Sequence, residues 1–274
     1  VQGDRGDARV LGDAAGIGPE IVVKAFRDAP ADLVGCFVVG DVATLRRAAQ
    51  AIVRPGVPMV PVAHITYPAN VLDMPPRCVP VLQLPSIPGP QPWGQVSAAA
   101  GRAAADSVVW AAHAALRGEV GAIVTAPLHK EALSAAGAPY SLYPGHTELL
   151  QAVAAEHLGV PVAELPVRMM LANDELRTVL VSIHVSLRDA IESVTASNIL
   201  QTLRITHQSV GAALQKTVRI GVAGLNPHAG EGGLFGREEI AAIAPAIAQA
   251  RAEGIDARGP FAPDTVFMRG RGFK

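Results

Sequence analysis

The feature that most narrows the fold is an alternation of short, β-branched apolar runs with segments of helical spacing. "GCFVVGD" (35–41) precedes "VATLRRAAQAI", "VGAIVTAP" (120–127) precedes "HKEALSAAG", and "TVRIGVAG" (217–224) precedes "REEIAAIAPAIAQARAEG". Strand, loop and helix in repetition predict an α/β protein with a mostly parallel sheet covered on both faces. Several of the runs are apolar throughout, as strands buried on both faces must be.

Two segments break the alternation. "LPVRMMLAN" and "LRTVLVSI", joined by "DE" (174–175), predict a hairpin and hence some antiparallel pairing in the middle of the chain. "LPSIPGPQPWGQ" (84–95) carries four prolines and predicts an irregular linker or surface loop. The Ala-rich stretch that follows predicts a long helix, with Val108, Val109 and Leu116 on its apolar side and Trp110 and His113 as packing residues.

Charge and cysteine content exclude several roles. Lys and Arg total 23 against 24 Asp and Glu, so no net field marks a nucleic-acid binder. Cys36 and Cys78 lack C-x-x-C spacing, which argues against a thiolate zinc site or a disulfide framework and suits a reducing cytosol. The polar N-terminus is unlike a signal peptide, and no apolar run reaches the ~18 residues of a membrane span. The expected partners are small molecules and other subunits, at a cytoplasmic location.

Ligands of parallel α/β sheets collect at the carboxyl ends of strands, so the loops there are the candidates. "GDAAGIGPE" (12–20), with Pro19 near a helix start, reads as a phosphate cradle or as a tight strand-to-helix turn. In "YPGHTELL" (143–150) Thr147 is placed to cap a helix holding Glu148 in its first turn. His146 would then precede a helix N-terminus that favours an anion, or be incidental to a capping turn. His184 in "VSIHVSLRD" is expected to leave an apolar strand, with Ser186 capping the next helix. His228 stands in "GLNPHAGEGGLFG" (224–236), whose glycines and proline explain a turn but not an imidazole. Two strand-end histidines can share a metal or serve as separate hydrogen-bonded structural residues. Asp264 in "PFAPDTVF" (260–267) is either a cap or a carboxylate aimed at the same cleft.

"GDAAGIGPEIVVKAF", "TAPLHKEAL", "YPGHTELL", "SIHVSLRD", "GLNPHAGEGGLFG" and "GPFAPDTVF" occur together in the order of one family. In that combination the chain resembles the 4-hydroxythreonine-4-phosphate dehydrogenases of pyridoxal phosphate (vitamin B6) biosynthesis. The resemblance implies a two-domain fold similar to isocitrate and isopropylmalate dehydrogenases, with residues 1–127 plus 259–274 in one domain and 128–258 in a central, dimer-forming one. It implies NAD- or NADP-dependent oxidation of 4-phosphohydroxy-L-threonine with decarboxylation, aided by a divalent metal (Zn, Mg or Co), in a homodimer with shared active sites. Carried over by motif, His146 and Thr147 bind substrate and His184 and His228 bind metal. Asp264 is the candidate for orienting or deprotonating the hydroxyl, and Lys130 a possible donor. No cofactor-binding residue is assigned.

Two departures from the family pattern are visible. Ala14 stands where "GDPAGIGPE" usually has proline, and the family's "YHDQG" segment, with a third metal histidine, and "DHGTA" region do not occur within the 274 residues. The residues present are therefore expected to supply an incomplete metal shell and little of the NAD site. A sister activity on phosphorylated erythronate or threonate is the nearest alternative, and a non-catalytic metal-binding or dimerising remnant is the alternative of another class.

Overall fold

A computed structural model describes residues 6–85 and 89–270. It divides into two compact units with the break between Pro166 and Val167.

The first unit is built on five parallel strands, β1 (Asp7–Val10), β2 (Cys36–Gly40), β3 (Val62–Ile65), β4 (Val79–Gln83) and β5 (Ile123–Thr125), in the order β3-β4-β2-β1-β5. Helices α1 (Gly18–Asp28), α2 (Val42–Ala51), α3 (Ala98–Leu116), α4 (Lys130–Ala135) and α5 (His146–Leu158) complete it. Every residue of the central strand β2 is buried, and its alternating side chains feed two cores. Phe37 and Val39 join Val10, Val108, Leu133 and Leu149 on one face, while Cys36 and Val38 join Val23, Phe26, Leu45 and Val81 on the other. The apolar character of "CFVV" is thus the signature of a strand covered on both sides.

The caps are local. Asp41 accepts from the Thr44 N–H at 2.6 Å to start α2, and Ser97 accepts from the Ala100 N–H at 3.0 Å to start α3. The Trp110 ring meets Phe37 edge-on at 6.1 Å, which is the packing role expected of it. Gly101 lets α3 and α4 touch: a Cβ there would lie 1.8 Å from the Ala132 carbonyl oxygen, so no larger residue fits without separating the helices. That contact fixes the loop running from β5 into α4. The Pro-rich stretch 84–95, whose residues 86–88 lie outside the described residues, contains no helix or strand where it is described. The N-terminal reading likewise falls in part on residues 1–5, outside the described residues.

In the second unit β6 (Met170–Ala172) and β7 (Arg177–Val179) form the expected hairpin, with Leu171 opposite Thr178. Asn173 makes its turn, accepting from the backbone N–H groups of Glu175 and Leu176 at 2.9 and 2.7 Å. Arg168 ties the hairpin to a long helix by donating to Asn198, Gln201 and Thr202. After α6 (Leu187–Glu192), α7 (Ala196–Leu214) and α8 (Ala244–Ala252) enclose a core of Ile199, Leu203, Ile243, Ile247 and Ala257. Parallel strands β8 (Arg219–Ala223) and β9 (Asp256–Phe261) lie against it, and α9 (Val266–Gly270) follows.

One predicted helix is not continuous. The run from Arg237 opens with a π-helical turn over Glu239–Ile243 before α8 begins. Pro245 supplies the reason, since it has no N–H to give the carbonyl of Ala241 and its ring crowds that position. Among the described residues no helix is long and apolar enough to cross a membrane.

Candidate active site

In the first unit His146 is the first residue of α5, and the cap is the extended Gly145, not Thr147. Thr147 therefore lies inside the first turn, its side chain exposed and its N–H among those a helix start leaves free. The expected threonine cap fails because the chain is extended only through Gly145 and turns helical two residues earlier than the motif suggests. The His146 Nε2 atom is buried and has no hydrogen-bond partner, and burial pushes the imidazole pKa down, so the ring is neutral at pH 7. An orphaned ring nitrogen beside free helix N–H groups is what a bound ligand would satisfy.

Residues that sequence reasoning missed tie the segment before α5 to α3. The Tyr140 hydroxyl donates a short hydrogen bond to Asp106 of α3, and the Arg102 guanidinium lies 5.7 Å from the Tyr140 ring centre while donating to the Ala136 carbonyl. Burial first, and the Asp106 carboxylate second, push the Tyr140 hydroxyl up to about 12, so it stays protonated and donating. Arg102 and Asp106 sit four apart on one helix, the only signal a reader of the sequence would have had. Lys130 opens α4 with its side chain exposed, and His129 caps that helix by accepting from the Ala132 N–H at 3.4 Å.

In the second unit His184 is exposed on the loop between β7 and α6, with φ at +54°. It does not leave a strand. Pairing ends at Val179 opposite Met170, and the last hairpin bond runs from the Leu180 N–H to the Met169 carbonyl, so among the described residues the chain beyond has no partner strand to extend it. Ser186 caps α6 as expected, accepting from the Asp189 N–H at 3.2 Å. Asp264 lies exposed in the turn that precedes α9.

His228 stands on the loop after β8, as expected, exposed and 6.1 Å from the Phe235 ring centre. The surrounding backbone is unusual: residues His228 to Glu231 have φ of 55°, 54°, 80° and 44°, and Gly232 follows at 67°. Left-handed backbone costs roughly 1–2 kcal/mol at each non-glycine residue. Glu239, 3% exposed, holds the loop from below. Its Oε1 accepts from the backbone N–H groups of Leu225 and Asn226, both at 2.7 Å, and its Oε2 accepts from the Asn226 side chain at 2.9 Å. Bonds to an ionised acceptor contribute about 1.5–3 kcal/mol each, the size needed to offset three strained residues. Burial pulls the Glu239 carboxyl upward, but the donors on Asn226 and Leu225 outweigh it and leave the group below its usual range, ionised.

Among the described residues no three His, Cys, Asp or Glu side chains come together to hold a metal ion. Taken singly, His184 and His228 are exposed imidazoles on loops, neutral donors of the type a divalent cation accepts.

Comparisons with known proteins bear on this site. Residues 32–273 match the family described as pyridoxal phosphate biosynthetic protein PdxA. A 4-hydroxythreonine-4-phosphate dehydrogenase of Beijerinckia indica is 47% identical over 267 residues, covering 96% of this chain and 73% of that protein. A D-threonate 4-phosphate dehydrogenase of Salmonella typhimurium is 38% identical over 263 residues, covering 96% and 76%. The crystal structure of 4-hydroxythreonine-4-phosphate dehydrogenase from Klebsiella pneumoniae matches with a TM-score of 0.86 at 37% identity, over 98% of this chain and 78% of that one.

Proposed function

The chain belongs to the PdxA family of pyridoxal phosphate biosynthesis, and from that membership we propose that it oxidises the secondary hydroxyl of 4-phosphohydroxy-L-threonine, with NAD or NADP and a divalent metal, ahead of decarboxylation. The relatives are dehydrogenases by name, which makes the chain an oxidoreductase. A bound cation supplies positive charge beside a hydroxyl oxygen, and a bound nicotinamide supplies a hydride acceptor.

The chain's own residues have separable tasks in this reading. His184 and His228 would hold the cation through neutral imidazole nitrogens. His146, neutral and with Nε2 unpartnered, offers one hydrogen bond to a substrate oxygen, and the free N–H groups at the start of α5 suit an anionic group. Thr147 adds a hydroxyl at the same helix start. Asp264, an exposed carboxylate, would take the hydroxyl proton. The observation that carries the reading is the orphaned His146 nitrogen at a helix start within the matching motif.

A second reading has a specific motive, since relatives named for threonate 4-phosphate align over as much of the chain as those named for hydroxythreonine phosphate. Turnover of the two phosphorylated acids, each with NAD and with NADP, tests both. Activity on the threonate compound alone would overturn the first choice, and activity on neither would overturn both.

We also read the exposed apolar hairpin as a subunit contact in a homodimer. Met169, Met170 and Leu171 are 40%, 43% and 53% exposed, more apolar surface than a hairpin turned to water favours.

A further inference from the structure

We propose that Glu239 is a positioning residue that sets the direction of the His228 imidazole. The inference rests on the reading of His228 as a metal ligand, and it adds a residue to which neither the motif nor the donor chemistry pointed.

The first ground is where the carboxylate spends its bonds. Glu239 is buried, yet among the described residues it pairs with no Lys, Arg or His side chain; its acceptors go to Leu225 and Asn226 of the loop that carries His228. Asn226 then accepts from the Ala229 N–H at 3.1 Å, closing the first turn of the left-handed run around His228. Through Asn226 alone, Glu239 therefore reaches the backbone on either side of His228 without touching the imidazole itself. Asn226 is held a second time, by donation to Glu238 at 2.7 Å.

The second ground is that apolar burial does little to fix the loop. Within 227–233 only Gly230 is buried, so the left-handed backbone receives little support from apolar burial. Gly230 is also where the carboxylate presses closest: a Cβ there would stand 2.7 Å from Glu239 Oε2, and φ is +80°. A desolvated carboxylate committed to a strained, solvent-exposed loop adds little apolar packing, but it fixes the backbone from which the imidazole projects, where the Phe235 ring is its neighbour at 6.1 Å. Such confinement by outer groups is what gives a metal ligand its affinity.

The test uses the full chain, cobalt(II) as the probe, and two readouts. Isothermal titration with cobalt(II) compares wild type, His228→Ala, Glu239→Gln and Glu239→Ala, and NMR of the ring nitrogens follows His228 in the metal-free proteins. Loss of the carboxylate is expected to weaken cobalt binding about tenfold or more, the usual effect of removing an outer partner. Glu239→Gln, which keeps one oxygen for the two backbone donors, should fall between wild type and Glu239→Ala, a graded rescue that mere loss of stability would not produce. The His228 ring signals should shift or broaden in the same order. Folded Glu239→Ala with wild-type affinity and unchanged His228 signals would overturn the proposal. Should Glu239→Ala fail to fold, the same null result in Glu239→Gln overturns it. Equal cobalt affinity in wild type and His228→Ala would instead remove the metal reading, and the ring signals then decide the role of Glu239 alone.

Discussion

His184 and His228 lie on separate loops and hold nearly the same left-handed backbone, φ +54° and +55°. Histidine is among the residue types enriched in that region, but a side chain larger than hydrogen is still strained there. Glycine at either position should relieve the strain and alanine should not. We predict that His184→Gly and His228→Gly are each more stable than the matching alanine variant by about 1 kcal/mol. Both kinds of variant should lose bound metal alike. Denaturant melts and metal analysis check this; alanine variants as stable as glycine ones, or metal content unchanged, would contradict it.

His146 should affect substrate and not metal. Its ring is neutral because burial lowers the pKa, and its free nitrogen awaits a partner. His146→Ala is expected to lower kcat/KM by about one to two orders of magnitude, the loss of one hydrogen bond made to a charged or reacting group. Metal content should stay at the wild-type level, and its loss would refute the division of labour.

The same shift predicts a pH effect on stability. A histidine whose folded pKa lies below its unfolded value of about 6.5 takes up its proton first in the unfolded chain. Stability is therefore lost as pH falls from about 6.5 toward the lowered folded value. Thermal melts between pH 7 and pH 5 should show a steeper decline in wild type than in His146→Gln; parallel declines would exclude the burial effect.

Tyr140 gives the opposite sign of dependence. Its hydroxyl is pushed up to about 12 in the folded chain, so the contribution is whole below an unfolded pKa of about 10 and disappears as pH rises through about 12. Tyr140→Phe should cost about 1 kcal/mol at neutral pH, less than the usual ~1.5–3 kcal/mol for a bond to a carboxylate because the site is only partly buried. Chemical denaturation at pH 7 measures it, and an unchanged midpoint would show that the Asp106 contact contributes nothing.

The hairpin surface predicts assembly. If Met170 and Leu171 face a second copy, Leu171→Arg should dissociate the dimer at micromolar concentration, and wild-type stability should depend on protomer concentration. Sedimentation finding a folded wild-type monomer at that concentration would reject the contact.

Much of this protein follows from local sequence. Wholly apolar "CFVV" fixes a strand buried on both faces, Asn173 makes the hairpin turn through its own backbone neighbours, and Ser97 and Ser186 cap the helices they precede. The six motifs, taken together in their order, were enough to identify the family. These features depend on residues within a few positions of one another, where periodicity and side-chain chemistry act directly.

Other features were decided only by folding. The strand expected to reach His184 stops at Val179 because its partner ends opposite, and helix α5 begins at His146 because Gly145, not Thr147, makes the transition from extended chain. Asp106 meets Tyr140 across 34 positions, and Glu239 reaches back 14 to Leu225. In each case the sequence shows a donor and an acceptor that could have faced water. Only packing, by removing that water, leaves each with the other as partner and makes the pair count.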